Sequence, residues 1–187
     1  MDSKCCFFIG HREASSKVYP ELLSEVERHI CELGVSRFIV GHYGGFDRLA
    51  AKAVIEAKER YKGIELVLLL PYHPAERPIK KPDGFDYTYY PFEEQKIPRR
   101  LAIVRANRLM VEQADYLIAY VWHTASNAIR HLRDIMGLSS CADGGYAGIR
   151  FAVADFDGQG CAGLPRASLS FCQSSSSKLC LPDTLRR

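Results

Sequence analysis

Residues 37–57 read Arg37-Phe-Ile-Val-Gly-His-Tyr-Gly-Gly-Phe-Asp-Arg-Leu-Ala-Ala-Lys-Ala-Val-Ile-Glu-Ala57, and this stretch decides the fold. Its first four residues, Arg37 to Val40, are typical of a short buried strand, and Gly41 to Gly45 are typical of a glycine-rich turn. From Phe46 onward, apolar residues recur at helical spacing, at Leu49, Ala50, Ala53, Val54 and Ala57. A strand, a turn and a helix in this order form the unit from which α/β folds are built.

The turn at Gly41 to Gly45 is the first candidate for ligand binding. In α/β folds such a junction can hold a phosphate, because backbone amides and the positive end of a helix dipole face the ligand. Glycines would permit positive φ angles and a close approach of a ligand to the amides. The spacing matches neither the Walker loop nor Gly-x-Gly-x-x-Gly, so it indicates neither ATP hydrolysis nor hydride transfer. A tight turn that binds nothing is the alternative.

The flanking segments repeat the strand and helix pattern. Cys5 to Ile9 is a continuous apolar run that ends in Gly10-His11-Arg12, which suits a central strand buried on both faces. Glu65 to Leu70 is another such run. The helix between the first two strands has apolar residues at three- and four-residue spacing: Tyr19, Leu22, Leu23, Val26, Ile30 and Leu33. This β-α-β-α-β order predicts a Rossmann-like three-layer α/β sandwich with a parallel sheet of about five strands, and ligand binding at the carboxyl ends of the strands.

The segment from Pro71 to Pro98 interrupts this pattern. It contains six prolines and the aromatic residues Phe85, Tyr87, Tyr89, Tyr90 and Phe92. A connection of this length without regular periodicity is typical of a lid, a binding loop or an interface segment. Its aromatic side chains can stack on a base, or they can pack the loop onto its own domain.

A helix is predicted from Arg99 to Ala114. On a helical projection, Arg108 lies on the same face as three apolar residues, with Asn107 at the margin of that face; the apolar residues are Leu101, Val104 and Val111. The guanidinium of Arg108 either extends outward from this apolar stripe or is directed at a buried or ligand anion.

The remainder of the chain contains two more predicted strands. Tyr116 to Val121 is the fourth strand, and an amphipathic helix follows through Met136, with Ser126 or Asn127 as its N-cap. Ile149 to Ala154 is the fifth. From Asp155 the composition is rich in Gly and Ser without periodicity, so we interpret residues 1–154 as one nucleotide-binding domain and residues 155–187 as a disordered tail.

Composition and charge limit the function classes. The chain has 187 residues, 47% hydrophobic content and a net charge of +3, which suits one globular domain and is far from the dense basic surface of a dedicated DNA-binding protein. No signal peptide or apolar run of roughly 20 residues is present, so we expect a cytoplasmic protein with no membrane contact. Three loop histidines, His42, His73 and His123, lack the spacing of a metal pair, and we expect neither a metal nor a resident cofactor.

Four motifs in this order resemble the SLOG superfamily, Rossmann-like proteins that include Smf/DprA and the LOG phosphoribohydrolases. They are Cys6-Phe-Phe-Ile-Gly-His-Arg12, Gly44-Gly-Phe-Asp-Arg-Leu-Ala-Ala51, Asn107-Arg-Leu-Met-Val111 and Ala114-Asp-Tyr-Leu-Ile-Ala119. The chain is most similar to a small, uncharacterised bacterial branch whose first strand ends in Gly-His-Arg. The resemblance covers roughly residues 5–136.

The resemblance implies a nucleotide or nucleotide-derived ligand across the carboxyl edge of the sheet. It implies ligand-binding roles for Gly10, His11, Arg12, Gly41, Gly44, Gly45, Asp47, Asn107, Arg108, Ser126 and Asn127. In this interpretation the amides of Gly44 and Gly45 donate to phosphate, and Arg12 or Arg108 neutralises it. Asp47 either accepts from ribose hydroxyls or caps its own helix.

One departure from the family bears on catalysis. LOG enzymes carry Pro-Gly-Gly-x-Gly-Thr-x-x-Glu after the fourth strand, whereas this chain reads Val121-Trp-His-Thr-Ala-Ser126 and places Ile129 where the glutamate would fall. The missing carboxylate favours a sensor or ligand-binding module over an enzyme. The alternatives are hydrolysis of a nucleotide N-glycosidic bond, with Asp47 as the candidate catalytic residue or His123 recruited, and single-stranded DNA binding. Binding of nucleic acid is not expected at this net charge, and the oligomeric state stays open, a homodimer included.

Overall fold

The computed structural model describes residues 3–92 and 97–120, together with the backbone of residues 151–155 and 170–171. Within these ranges the chain forms seven strands, three α-helices and a short 3-10 turn at Ser16–Val18. In chain order the strands and α-helices are β1 (Lys4–Gly10), α1 (Tyr19–Cys31), β2 (Val35–Val40), α2 (Gly45–Arg60), β3 (Glu65–Leu69), β4 (Tyr87–Tyr89), α3 (Arg99–Gln113), β5 (Tyr116–Tyr120), β6 (Phe151–Asp155) and β7 (Ser170–Phe171).

All seven strands belong to one sheet, in the order β4-β3-β2-β1-β5-β6-β7. The five strands from β4 to β5 run parallel to their neighbours, whereas β6 and β7 are antiparallel additions at one edge. Helices α1 and α2 cover one face of the parallel part, and α3 covers the other. The predicted Rossmann-like α/β fold with a parallel sheet of about five strands is confirmed.

The central strand β1 shows why the sheet is buried on both sides. Cys6 and Phe8 pack into the layer formed with α1 and α2, while Phe7 and Ile9 pack against α3. Successive side chains of a strand point to opposite faces, so a continuous apolar run is needed where both faces are covered. The end of β1 therefore reaches the carboxyl edge between two helical layers.

Two strands differ from the sequence prediction. β4 lies inside the segment from Pro71 to Pro98, which shows no regular pattern in the sequence. The strand has only three residues and lies at the edge of the sheet, where its pairing with β3 is extended by a bond from the Leu70 amide to the Tyr89 carbonyl of 2.8 Å. Three residues are too few for a periodicity to be recognised. β6 confirms the strand predicted at Ile149 to Ala154, but it runs antiparallel to β5 and is not one of the five parallel strands.

Helix α3 buries only Val111 of the apolar stripe predicted for it, and Arg108 extends outward, which is one of the two alternatives that the sequence left open. Its buried residues are Ala102, Ala106, Met110 and Val111, so the helix packs through a face rich in alanine. Leu101 is 37% exposed, and the Arg108 side chain is 66% exposed, where its Nε donates to Glu112 Oε1 at 2.9 Å. Small side chains let a helix approach a sheet closely. The close packing of Ala102 and Ala106 on the sheet therefore leaves the larger Leu101 partly exposed.

Several sequence predictions lie outside the described residues. These are the helix through Met136, His123, Ser126, Asn127 and, apart from Asp155 and the two residues of β7, the predicted tail. In the part of the chain that the structure covers, no helix combines the length and hydrophobicity required to cross a bilayer.

Candidate functional site

A cavity of about 300 Å³ lies at the carboxyl ends of β1, β2 and β3. One wall is apolar and includes Phe7, Ile9, Leu69, Pro71 and Ile103. The polar side chains that line it are Arg12, Tyr43, Asp47 and Asn107. An apolar cavity with a few convergent polar groups, at the carboxyl edge of a parallel sheet, is the usual form of a small-molecule site in this class of fold.

The glycines of the site serve close packing between the first loop and α2. A Cβ atom on Gly10 would lie 2.4 Å from the Phe46 ring, and one on Gly45 would lie 2.7 Å from the Arg12 carbonyl oxygen. The expected positive φ angles are not found here, since the positive-φ glycines among the described residues are Gly34, Gly63 and Gly84. The glycine-rich turn is therefore required mainly because two backbone segments and a buried ring meet without space for a side chain.

The amides predicted to bind phosphate donate to protein acceptors instead. The Gly44 amide donates to Asp47 Oδ2 at 2.9 Å, and the Gly45 amide donates to the Arg12 carbonyl at 2.7 Å. The Phe46 amide donates to the His11 carbonyl at 3.4 Å. In this structure a carboxylate and a carbonyl occupy the donors of Gly44 and Gly45, so phosphate binding through these amides stays a prediction that would require both hydrogen bonds to break.

Asp47 caps its own helix. Its Oδ2 accepts from the amides of Gly44 and Tyr43, the second at 3.0 Å, which confirms the capping interpretation left open by the sequence. Burial raises the pKa of Asp47 above its ordinary value, while the two amide bonds and the nearby Arg48 act in the opposite direction. Both amides use Oδ2, and none of the hydrogen bonds found within the described residues involves Oδ1. The carboxylate lines the cavity, so Oδ1 can still accept from a ligand.

Two consecutive residues of α3 have different positions. Asn107 lines the cavity next to Ile103, one turn away on the same face of the helix. Arg108 is directed to solvent and pairs with Glu112, so the structure does not bring it to the cavity. The side-chain amide of Asn107 can both donate and accept a hydrogen bond.

An aromatic cluster that the sequence analysis did not identify borders the cavity. The Tyr43 ring lies 3.9 Å from the His42 ring and 6.1 Å from the Tyr72 ring, measured between centroids. The Arg77 guanidinium lies over the rings of Tyr43 and Tyr72, at 5.7 and 5.3 Å. Burial and the charge of Arg77 lower the pKa of His42, which favours the neutral imidazole. The signal for this cluster in the sequence is the His42-Tyr43 pair between the glycines of Gly41-His-Tyr-Gly-Gly45.

Tyr43 brings an unsatisfied polar atom to this cluster. Its Oη is buried, and no hydrogen-bond partner for it exists among the described residues; the same is true of His42 Nδ1. A buried hydroxyl without a partner costs free energy, so such groups are usually paired with protein, water or ligand. Because Tyr43 lines the cavity, its hydroxyl is a candidate to bind a ligand there.

A second cavity, of about 500 Å³ and more open to solvent, adjoins the first. The two share Arg12, and the second is also lined by Ser15, Gly45, Arg48 and Tyr120 among others. Arg48 was not identified from the sequence, although it directly follows Asp47 in the quoted motif. Neither Arg12 nor Arg48 forms an ion pair with the described residues.

The predicted site residues thus fall into four groups. Gly10, Arg12, Gly41, Gly44, Asp47 and Asn107 line the first cavity, and Gly45 lines the second. His11 and Arg108 line neither, and Ser126 and Asn127 lie outside the described residues. The His11 ring meets the Tyr120 ring edge-on at 6.2 Å.

Comparison with known proteins provides no family assignment. No protein-family model matches this chain, and no curated protein matches it. The resemblance to the SLOG superfamily therefore stays a prediction. In the described ranges, no three His, Cys, Asp or Glu side chains lie together as a metal ion would require.

Proposed function

We propose that this chain binds a nucleotide or a nucleotide-derived ligand in the cavity at the carboxyl ends of β1, β2 and β3, as a sensor or ligand-binding module. The observation that carries the proposal is the set of polar atoms that remain available in an otherwise apolar cavity. Asp47 Oδ1 is an acceptor, Tyr43 Oη is buried without a partner among the described residues, and Asn107 offers a side-chain amide. These groups match the hydroxyls and the base edge of a nucleoside.

The position and size of the cavity support the same ligand class. A volume of about 300 Å³ lies at the lower end of the range of small-molecule sites, roughly 300–1,000 Å³. Its wall of Phe7, Ile9, Leu69 and Ile103 excludes water from the apolar face of a bound ring. The SLOG-like motifs favour a nucleotide over other ligands of this size, although a shared fold alone does not establish function.

The test is a binding screen followed by a matched pair of variants. Thermal shift and calorimetry would use nucleosides, nucleoside mono-, di- and triphosphates, NAD, ADP-ribose and cyclic dinucleotides. A ligand at 100 times its dissociation constant stabilises the folded state by about 2.7 kcal/mol, roughly 5–10 °C for a domain of this size. Chromatography of each mixture would detect any released base, which would support N-glycosidic cleavage instead of simple binding.

The variants Asn107→Ala and Arg108→Ala locate the site. Both shorten a polar side chain in the middle of α3, but only Asn107 lines the cavity. We expect Asn107→Ala to weaken binding about tenfold, as loss of one ligand hydrogen bond does. Arg108→Ala should bind as the wild type does. Equal losses in both, or no binding of any compound in the panel, would contradict the proposal.

A further inference from the structure

The two adjoining cavities differ in the charge that they offer to a ligand. The first contains the carboxylate of Asp47 and the shared guanidinium of Arg12, beside backbone amides that already have acceptors. The second contains two guanidinium groups, Arg12 and Arg48, with Glu13 as its acidic residue. A phosphate group would be repelled by a carboxylate in the first and attracted by the pair of arginines in the second.

Other features of the second cavity suit an anion. Gly45 is the first residue of α2, so the positive end of that helix dipole faces this cavity. The hydroxyl of Ser15 accepts from the Lys17 amide at 3.3 Å and still has a proton to donate. The guanidinium groups of Arg12 and Arg48 have no carboxylate partner among the described residues, so both keep their donors available.

The two cavities meet at the end of β1, where the strand order of the parallel sheet reverses. β1 pairs with β2 on one side and with β5 on the other, and Gly10, the last residue of β1, is in register with Tyr120, the last residue of β5. Gly10 lines the first cavity and Tyr120 lines the second. Arg12 follows β1 and belongs to both. A ligand that crosses the end of β1 can therefore occupy the two cavities together.

We infer that the ligand divides between them: its nucleoside part occupies the first cavity, and its 5′-phosphate occupies the second, between Arg12 and Arg48. This inference rests on the proposed function and replaces the expected phosphate position over the amides of Gly44 and Gly45. It identifies the ligand as a 5′-phosphorylated nucleoside, with the uncharged part selected by Asp47 and Tyr43. Arg48 becomes a specificity residue for the phosphate.

The experiment compares each common nucleoside with its own 5′-monophosphate by calorimetry at fixed ionic strength. We expect the monophosphate to bind at least tenfold more tightly to the wild type. Arg48→Ala should reduce this preference to threefold or less while leaving the affinity for the nucleoside unchanged. Arg12→Ala should reduce the preference as well and should also weaken the nucleoside, because Arg12 lines both cavities. Asp47→Asn should weaken the nucleoside and the monophosphate by the same factor, so that their ratio is kept.

Lys62→Ala is the matched control for loss of positive charge. Lys62 is exposed and follows the other end of α2, a helix of 16 residues and so about 24 Å long, well beyond the range of unscreened charges at physiological salt. This variant should keep the full preference for phosphate.

The outcomes distinguish this inference from the proposed function. If nucleosides bind and the 5′-phosphate adds no affinity, the division between cavities is wrong and the proposed function stands. An equal loss in Lys62→Ala and Arg48→Ala would also overturn it, because it would indicate general charge attraction. If neither nucleosides nor monophosphates bind, the inference fails, and the proposed function fails with it if no other compound of the panel binds either.

Discussion

The loop after β1 and the start of α2 contain two kinds of residue, separated by only a few positions. One group, the interlock, consists of Gly10, Gly45, Phe46 and the backbone of His11 and Arg12; it is closely packed, with its amides donating to carbonyls. The other group, the rim, consists of the side chains of Arg12, Tyr43 and Arg48, joined by Asn107 from α3; these line the cavities and have no ion pairs with the described residues.

The comparison of the two groups distinguishes residues that serve packing from residues whose side chains are available to a ligand. Glycines near a presumed phosphate site are often interpreted as ligand contacts, yet here Gly10 and Gly45 make room for a ring and a carbonyl. The groups available to a ligand are the polar side chains between and beside them. Asp47 belongs to both groups, because Oδ2 caps the helix while the carboxylate lines the cavity.

The largest effect is expected from the interlock. Gly45→Ala would place a Cβ atom 2.7 Å from the Arg12 carbonyl and 3.2 Å from the Ala14 amide nitrogen, so backbone must move. We expect the free energy of unfolding to fall by about 2–3 kcal/mol, the usual cost of overpacking. Urea denaturation would measure it.

Gly44→Ala is the matched control for this substitution. A Cβ atom on Gly44 would lie 3.4 Å from its nearest neighbour, the Cα atom of Arg12, and the φ angle of −122° suits any residue. We expect a change within about 0.5 kcal/mol. If the two variants are equally stable, the interlock does not exist as described.

A smaller effect, on affinity and not on stability, is expected at Asp47. In Asp47→Asn the side-chain oxygen can still accept from the amides of Tyr43 and Gly44, while an NH₂ group replaces Oδ1. The free energy of unfolding should change by less than about 1 kcal/mol, because Asn and Asp are comparable caps. Loss of a hydrogen bond to a charged acceptor weakens binding by about 1.5–3 kcal/mol, so nucleoside affinity should fall tenfold or more.

Asp83→Asn controls for the charge change, since Asp83 is exposed and lines neither cavity. It should leave affinity unaltered. Calorimetry on the two variants measures this directly, and a large loss of stability in Asp47→Asn with intact affinity would assign Asp47 to the interlock alone.

Tyr43 tests the rim with a still smaller change. Tyr43→Phe removes a buried hydroxyl that has no partner among the described residues, so the unliganded protein should be equally stable or up to about 1 kcal/mol more stable. Nucleoside affinity should fall about fivefold, because the variant lacks the hydroxyl that would form a hydrogen bond with the ligand. Tyr72→Phe, in the neighbouring ring of the same cluster, should alter neither quantity. Unchanged affinity in Tyr43→Phe would remove this hydroxyl from the site.

The sequence predicted the parallel core of the fold because its strands and helices have strong periodicity. β1, β3 and β5 contain continuous apolar runs, β2 ends in one, and α1 and α2 show clear helical spacing. β4 was not predicted, since three residues at an edge carry no recognisable pattern. Apart from Val111, the buried face of α3 differs from the predicted stripe, because alanine packing depends on the sheet that the helix approaches, which no local pattern contains.

The candidate site was predicted in position but not in detail. The carboxyl edge follows from strand order, and the resemblance to the SLOG superfamily implied ligand-binding roles for Arg12, Asp47 and Asn107, which line the cavity there. Whether an amide is available to a ligand depends on which acceptors the rest of the chain offers it, and the Arg12 carbonyl that accepts from Gly45 is near it only in three dimensions. Tyr43 and Arg48 were missed for a similar reason, because their roles depend on cavities and not on spacing.

The smallest effect that we expect is a pH dependence that isolates Asp47. Burial raises the pKa of this carboxyl above 3.8 in the folded state, so between 3.8 and the raised value the folded protein binds more protons than the unfolded chain. The contribution of Asp47 to stability is therefore greatest below 3.8 and is lost as the pH rises through the folded pKa. Asp47→Asn lacks this contribution.

The stability of the wild type relative to Asp47→Asn should accordingly be more favourable at pH 3.5 than at pH 7, as urea unfolding at both values would measure. All other carboxyl groups are common to both proteins, so their titrations cancel in the difference. The opposite sign would mean that the amide bonds from Tyr43 and Gly44 outweigh burial and that Asp47 is chiefly an ionised cap. A carboxylate held in that way would belong to the interlock, and the acceptor for a ligand would have to be Asn107.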